Sequence, residues 1–237
     1  MPRRPEMEQL PLGVRLRASA TLASFHAGAN SPLLAALEAR SCDGGLPPRW
    51  LWSAPGAGRT HLLQAACARA GDLRRASAYL PLAESWLEPA MLAGLEGLQL
   101  VCLDDLDAVA GRDGWERALF VLHNELAERG GNLVIAAGAA PAAVPLRLPD
   151  LASRLAAAVV WNLKSLGDED HAPALQARAQ ALGLELPDDT LQWLTRRLPR
   201  DYAALCEVLD RLDRAALARQ RRLTVPFVRS VLEAPAG

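Results

Sequence analysis

The sequence lacks three features that would each assign it to a particular class of protein: a long hydrophobic run, a signal peptide and an excess of charge. No stretch of its 237 residues is apolar for long enough to span a membrane, and the N-terminus, MPRRPEMEQLPLG, has no apolar segment. The formal net charge of -1 gives no general attraction to nucleic acid or to anionic membranes. We therefore expect a cytoplasmic protein without a membrane partner.

Cysteine is also scarce. The chain contains four cysteines, which have neither the spacing of a metal site nor that of a disulfide framework: Cys42, Cys67, Cys102 and Cys206. This pattern predicts reduced thiols, as in a cytoplasmic protein. Hydrophobic residues make up 51% of the chain and charged residues 22%, a composition typical of globular proteins with one large or two small cores.

What the sequence does contain is an alternation of apolar strand patterns and helical patterns up to about residue 165. Five strands are predicted, at 50–52, 76–82, 98–106, 132–138 and 157–163. The alternation predicts an α/β domain with a parallel sheet built from right-handed crossovers. Its first helix is predicted to begin at Ser31, whose hydroxyl would cap the helix ahead of Pro32.

From Asp168 onward only helical patterns occur, each with an apolar stripe and a capping residue or proline at its start. We therefore expect three parts. These are an N-terminal arm over 1–24, an α/β domain over 25–165 and a small all-α domain over 166–237.

The segment SAPGAGRT, residues 53–60, follows the first predicted strand and precedes a helix, which is the context of a phosphate-binding loop. Gly56 and Gly58 would supply the turn, Arg59 would pair with a phosphate and Thr60 would reach a magnesium ion. The usual loop opens with glycine and carries lysine before the hydroxyl, whereas this one has Ser53 and Arg59. The alternative interpretation is a tight strand-to-helix turn that binds no ligand.

A second acidic motif, LVCLDD at 100–105, ends a predicted buried strand. A carboxylate at this end of the strand next to the glycine loop is where the water shell of a magnesium ion is held. Asp104 is the candidate for that position, and Asp105 lies near the position of a water-polarising residue. The alternative is an aspartate pair that only caps the following loop.

The motifs FHAGANSPLLAAL, APGAGRTHLLQAA, LVCLDDLDAVAG and LPDLASRLAAAVVWNL, in this order, resemble the DnaA-related family of AAA+ ATPases. Within that family the chain is similar to the short Hda-like proteins, because no DNA-binding helix-turn-helix follows the helical part. The resemblance implies an AAA+ P-loop sheet flanked by helices, followed by an all-α lid domain. It also implies ADP as a weakly held cofactor, Mg²⁺ as a second one, and self-association as in other AAA+ proteins.

The resemblance further implies partners and the residues that meet them. Arg154 matches the family's arginine finger, which would act in trans on ATP bound to the initiator DnaA. Gln9, Leu10 and Leu12, in EQLPLG, resemble a peptide that docks into the replicative sliding clamp. The protein would then associate with DNA only indirectly, through the clamp. The implied function is a regulatory adaptor that promotes hydrolysis by DnaA and so represses re-initiation of replication.

Three departures from the family bear on the chain's own nucleotide site: Ser53 and Arg59 in the loop, the apolar end of the fourth strand, and Ala203 where the family has a lid arginine. They predict negligible intrinsic ATPase activity and weak ADP binding. Two other functions stay open. One is a P-loop ATPase that loads or remodels a replication partner through its own nucleotide cycle, and the other is an interaction module in which the fold is only a scaffold.

Overall fold

The computed structural model describes residues 16, 20–40, 47–197, 202–219 and 222–233, and its centre is a five-stranded parallel sheet. The strand order is β2-β3-β4-β1-β5. The strands are β1 Arg49–Trp52, β2 Ser77–Pro81, β3 Leu100–Asp104, β4 Asn132–Ala137 and β5 Val159–Asn162. Four α-helices belong to this part of the chain: α1 Ser31–Arg40, α2 Arg59–Asp72, α3 Asp113–Arg129 and α4 Pro149–Ala156. The predicted α/β fold is confirmed.

Alternating side chains of the central strands pack into two separate cores, one on each face of the sheet. In β3, Val101 and Leu103 join the core that includes Trp115 of α3, whereas Cys102 joins the core that includes Leu63 of α2. All five residues of β3 are buried. Strands covered on both faces need a continuous apolar run rather than an alternating one, which is the pattern seen in the sequence.

β1 is one residue longer than predicted, whereas the other four strands are shorter than the apolar runs that predicted them. Local backbone geometry explains the shortening of β3. The run at 98–106 forms a strand only over Leu100–Asp104. Leu98 donates its N–H to the carbonyl of Leu95 in a turn, and Asp105 has the left-handed φ of 52°. Ser31 does begin α1, but its hydroxyl donates to the carbonyl of Gly28 at 2.8 Å, so the predicted role as an N-cap is wrong.

The remaining described residues form an all-α domain of four helices: α5 Asp168–Ala181, α6 Asp188–Arg197, α7 Tyr202–Arg219 and α8 Val225–Leu232. These helices have a third core of their own, which includes Leu194, Leu209 and Val228. An ion pair between a buried arginine and a partly exposed aspartate links α5 to α7, with Arg178 Nη2 at 2.9 Å from Asp210 Oδ1. The sheet ends at Asn162 and this domain begins at Asp168.

Three of the cysteines, Cys67, Cys102 and Cys206, form no disulfide within the described ranges, and Cys42 lies outside them. Over the described ranges, none of the helices combines the length and the apolar character needed to cross a membrane.

Candidate nucleotide site and exposed arginine

The glycine loop connects β1 to α2 and has a backbone shape that requires glycine at two positions. Gly56 has a φ of 82° and Gly58 a φ of 98°, in the region that side chains disfavour. A Cβ atom on Gly58 would also lie 2.8 Å from Cε2 of Phe25. The loop leads directly into the N-terminus of α2, and backbone N–H groups at such a position are suited to binding an anion.

A cavity of about 250 Å³ lies beside this loop, between the α/β domain and the all-α domain. Its walls are formed by the glycine loop, by the segment before α1, and by α5 and α7. The residues that line it include Phe25, His26, Gly58, Thr60, Arg178 and Tyr202. The position at a domain junction is typical of small-molecule sites, although the volume is slightly below their usual range of roughly 300–1,000 Å³.

Arg59 uses its guanidinium within the protein. Its Nη1 donates to the carbonyl of Ser53 at 2.6 Å and to the carbonyl of Ala137 at 2.7 Å, and its Nη2 lies 3.4 Å from Asp105 Oδ1. The side chain is only 14% exposed. Arg59 thus joins the start of the glycine loop, the end of β4 and the acidic motif after β3.

Thr60 and Asp104 lie together, as the two motifs predict. Thr60 Oγ1 donates to Asp104 Oδ2 at 2.7 Å, Tyr79 donates its hydroxyl to the same oxygen at 2.8 Å, and the N–H of Asp105 donates to Oδ1 at 3.1 Å. Asp104 is 1% exposed. Burial and the neighbouring Asp104 charge raise the pKa of Tyr79, which therefore stays a hydrogen-bond donor.

This donor set fits a magnesium ion only in combination with a phosphate. A hydroxyl and a carboxylate are hard oxygen ligands, and Mg²⁺ commonly binds one or two carboxylates together with substrate phosphates and water. In the described part of the chain there is no group of three or more His, Cys, Asp or Glu side chains that would hold a metal by themselves.

Asp105 has a left-handed backbone conformation, and its neighbours shift the pKa of its carboxyl group. Burial and the charge of Asp104 raise the pKa of Asp105, while Arg59 opposes that shift. Asp107 accepts the N–H of Gly138 at 3.1 Å, immediately after the end of β4. The sequence analysis named neither Tyr79 nor Asp107. The signal for Tyr79 was a hydroxyl group within the otherwise apolar stretch of the strand beside β3.

Arg154 lies on the surface of α4, apart from the residues that line the cavity. Its Cζ atom lies 5.2 Å from the centroid of the Phe120 ring on α3. Among the described residues no carboxylate forms an ion pair with it. Burial lowers the pKa of the nearby His123, and the charge of Arg154 contributes to the same effect.

Of the other predicted site residues, the structure describes the backbone of Ala203 but not the residues of the N-terminal arm. Gln9, Leu10 and Leu12 lie outside the described residues. Ala203 is part of α7, next to Tyr202, which lines the cavity.

Comparisons with known proteins agree with this arrangement. Residues 168–232 match the family model described as "Hda, lid domain". Domain III of the replication initiation protein DnaA from Thermotoga maritima has a similar structure, with a TM-score of 0.70 at 18% identity over 93% of this chain and 98% of that one. DnaA from Aquifex aeolicus, solved with AMPPCP bound, matches with a TM-score of 0.64 at 19% identity, over 86% of this chain and 67% of that one.

The RuvB Holliday junction branch migration motor of Thermotoga maritima is also similar, with a TM-score of 0.57 at 16% identity over 88% of this chain and 69% of that one. Similarity at these identities establishes the fold, and the family model identifies the all-α domain as a lid. The predicted resemblance is confirmed: residues 168–232 match the Hda lid domain, and the chain has the fold of domain III of DnaA.

Proposed function

We propose that this protein is a regulatory adaptor that docks on the DNA-loaded sliding clamp and stimulates ATP hydrolysis by the initiator DnaA. Such an activity represses re-initiation of chromosome replication. The observation that carries the proposal is the environment of Arg154. Its side chain is exposed, packs on the ring of Phe120 and forms no ion pair with a carboxylate among the described residues.

Each of these features suits a guanidinium that acts on another molecule. An arginine neutralised by a carboxylate of its own chain would have to break that pair before meeting a phosphate. The Phe120 ring attracts the cation and limits its motion, so less side-chain freedom is lost on binding. The planar fork matches the oxygens of a transferring phosphoryl group, whose charge it would stabilise.

The chain's own nucleotide site supports the same proposal because the guanidinium of Arg59 is already bound to groups of the protein. Arg59 donates to two carbonyls, and β4 ends in Ala137 followed by Gly138 rather than in a polar side chain. With Ala203 at the lid position, few groups are left to stabilise a transition state here. We infer that the site holds ADP weakly, through the loop amides, with Thr60 and Asp104 beside any Mg²⁺, and that it does not hydrolyse ATP.

The remaining parts of the proposal concern partners. An extended peptide can place leucines in an apolar pocket of the sliding clamp, and Gln9, Leu10 and Leu12 have the required side chains. Binding to DNA would follow from this docking rather than from direct contact. The outward guanidinium would also allow copies of the chain to associate head to tail, in the manner of AAA+ proteins.

A second function is favoured by one observation. The 2.7 Å hydrogen bond between Thr60 and Asp104 preserves the pair that holds Mg²⁺ in active P-loop proteins. An ATPase that loads or remodels a replication partner through its own nucleotide cycle would need this pair.

The test is ATP hydrolysis by DnaA in the presence of clamp loaded on DNA. With the Arg154→Ala variant, DnaA should hydrolyse ATP at its unstimulated rate, because an arginine finger raises the hydrolysis rate roughly 10³-fold or more. Arg154→Lys should recover little of it. The matched control is Arg117→Ala, an exposed arginine on the neighbouring helix α3.

Full stimulation by Arg154→Ala would refute the adaptor proposal. Turnover of ATP by the chain alone, abolished by Asp104→Asn, would establish the second function instead. Loss of clamp retention in a Gln9→Ala, Leu12→Ala variant tests the docking peptide separately.

A further inference from the structure

Glu116, on α3, is a carboxylate that the protein buries almost completely, with an exposure of 1%. Its partners are backbone N–H groups. Oε1 accepts from Gly111 at 2.6 Å and from Arg147 at 3.1 Å, and Oε2 accepts from Arg147 at 2.9 Å and from Leu148 at 2.6 Å. Burial of a carboxylate is strongly unfavourable unless such hydrogen bonds are made, so the side chain and the three amides define one fixed arrangement.

The amides bound by Glu116 belong to two segments that are far apart in the sequence. Gly111 lies just before α3, whereas Arg147 and Leu148 are the last residues before α4 begins at Pro149. Leu148 is the residue that leads into α4, and its N–H forms one of the shortest of these hydrogen bonds. Glu116 therefore fixes the start of α4 to α3.

The other end of α4 also rests on α3. Arg154, in the last turn of α4, lies over Phe120, which follows Glu116 by one helical turn on the same face of α3. One face of α3 thus holds the first residues of α4 through a carboxylate and its last turn through an aromatic ring.

We propose that Glu116 is a positioning residue for Arg154, acting through the start of α4. The inference rests on the proposed function of Arg154 in trans. α4 has only eight residues, too few to hold its place by helix stability alone, so its position depends on such contacts. A displacement of about 1 Å of a group that must meet a transition state can lower a rate by roughly 10²-fold.

The sharpest variant is Glu116→Gln, which keeps the size of the side chain. Its amide has one acceptor oxygen, and its NH₂ group would point at an N–H that the carboxylate now binds. The variant can therefore keep the bonds on one side, to Gly111 or to Leu148, but not on both. Glu128→Gln, on the exposed end of the same helix, is the matched control.

We expect Glu116→Gln to lower the maximal rate of DnaA hydrolysis at least about tenfold, and to leave the concentration for half-maximal stimulation within about twofold of wild type. Docking through the clamp does not involve α4, whereas a general loss of folded protein would raise that concentration. Hydrogen exchange should become faster at the amides of Arg147 and Leu148 in Glu116→Gln, and remain unchanged in Glu128→Gln.

A folded Glu116→Gln variant with the wild-type maximal rate would overturn the inference while leaving the adaptor function standing, provided that Arg154→Ala abolishes stimulation. Full activity of Arg154→Ala would overturn both. A rise in the half-maximal concentration with an unchanged maximal rate would also overturn the inference. Should Glu116→Gln fail to fold, the test uses Glu116→Asp, which keeps both acceptor oxygens on a side chain shorter by one methylene. We expect the same lowered maximal rate from Glu116→Asp, and a wild-type maximal rate would refute the inference.

Discussion

Replacing Arg59 by alanine tests whether this residue serves the fold or a bound phosphate. In the structure its guanidinium donates to the carbonyls of Ser53 and Ala137 at 2.6 and 2.7 Å and is 14% exposed. Hydrogen bonds from a charged donor contribute roughly 1.5–3 kcal/mol each, and the unfavourable burial of the charge offsets part of two such bonds. We expect Arg59→Ala to lower the free energy of unfolding by about 3 kcal/mol, which corresponds to a fall in Tm of roughly 6–12 °C for a chain of this size.

The assay is thermal and urea unfolding without nucleotide, followed by tryptophan fluorescence, with Arg117→Ala as control. That arginine pairs with Asp113 on the surface of α3, where both side chains are more than 70% exposed, so its loss should change stability by less than about 1 kcal/mol. If Arg59→Ala is no more destabilising than Arg117→Ala without nucleotide, but loses the stabilisation by added ADP, Arg59 binds phosphate and the structural role is refuted.

Two further predictions concern the same loop and its acidic neighbour. Because the pKa of Asp105 is raised in the folded protein, the folded state binds more protons than the unfolded state, and wild-type stability falls as pH rises through the folded pKa. Asparagine tolerates the left-handed backbone of this position, so Asp105→Asn should have a higher Tm than wild type at pH 7 and the same Tm as wild type near pH 3.5. A lower Tm of the variant at pH 7 would contradict this. Gly58→Ala should be more destabilising than Gly94→Ala. Both glycines have a positive φ, where an alanine costs roughly 1–3 kcal/mol of backbone strain, but only the Cβ atom at position 58 would clash with a neighbour, Phe25 at 2.8 Å. Equal melting temperatures for the two variants would show that the contact with Phe25 is relieved without penalty.

The architecture was predictable because it follows from patterns that neighbouring residues share. A continuous apolar run such as β3 is typical of a strand covered on both faces, and strands that alternate with helices indicate a parallel sheet. β4 lies between β1 and β3, so the expectation that these two strands are neighbours is wrong. The contact of Thr60 with Asp104 was predictable for a related reason, since the carboxyl ends of all strands of a parallel sheet lie along one edge. The bounds of the strands were not, because turns such as that at Leu98 and the positive φ of Asp105 end them early.

Side-chain roles that depend on distant backbone groups could not be obtained in this way. The sequence identified Arg59 as a cation beside a glycine loop, but its hydrogen bond to Ala137 joins positions 78 residues apart. It gave no indication that Glu116 would bind amides of the segment before α4, because a glutamate on a helix is usually solvated.

The sequence by itself thus determined the layers, the position of the glycine loop and the identity of the charged groups, all of which depend on local spacing and hydrophobic pattern. Only the tertiary structure decided which acceptor each charge meets: Arg59 turns to the carbonyls of its own chain, whereas Arg154 rests on an aromatic ring and remains exposed. The physical reason is that a charged side chain is held by whichever polar or aromatic groups the packed chain brings within a few ångströms, and spacing along the sequence does not specify those groups.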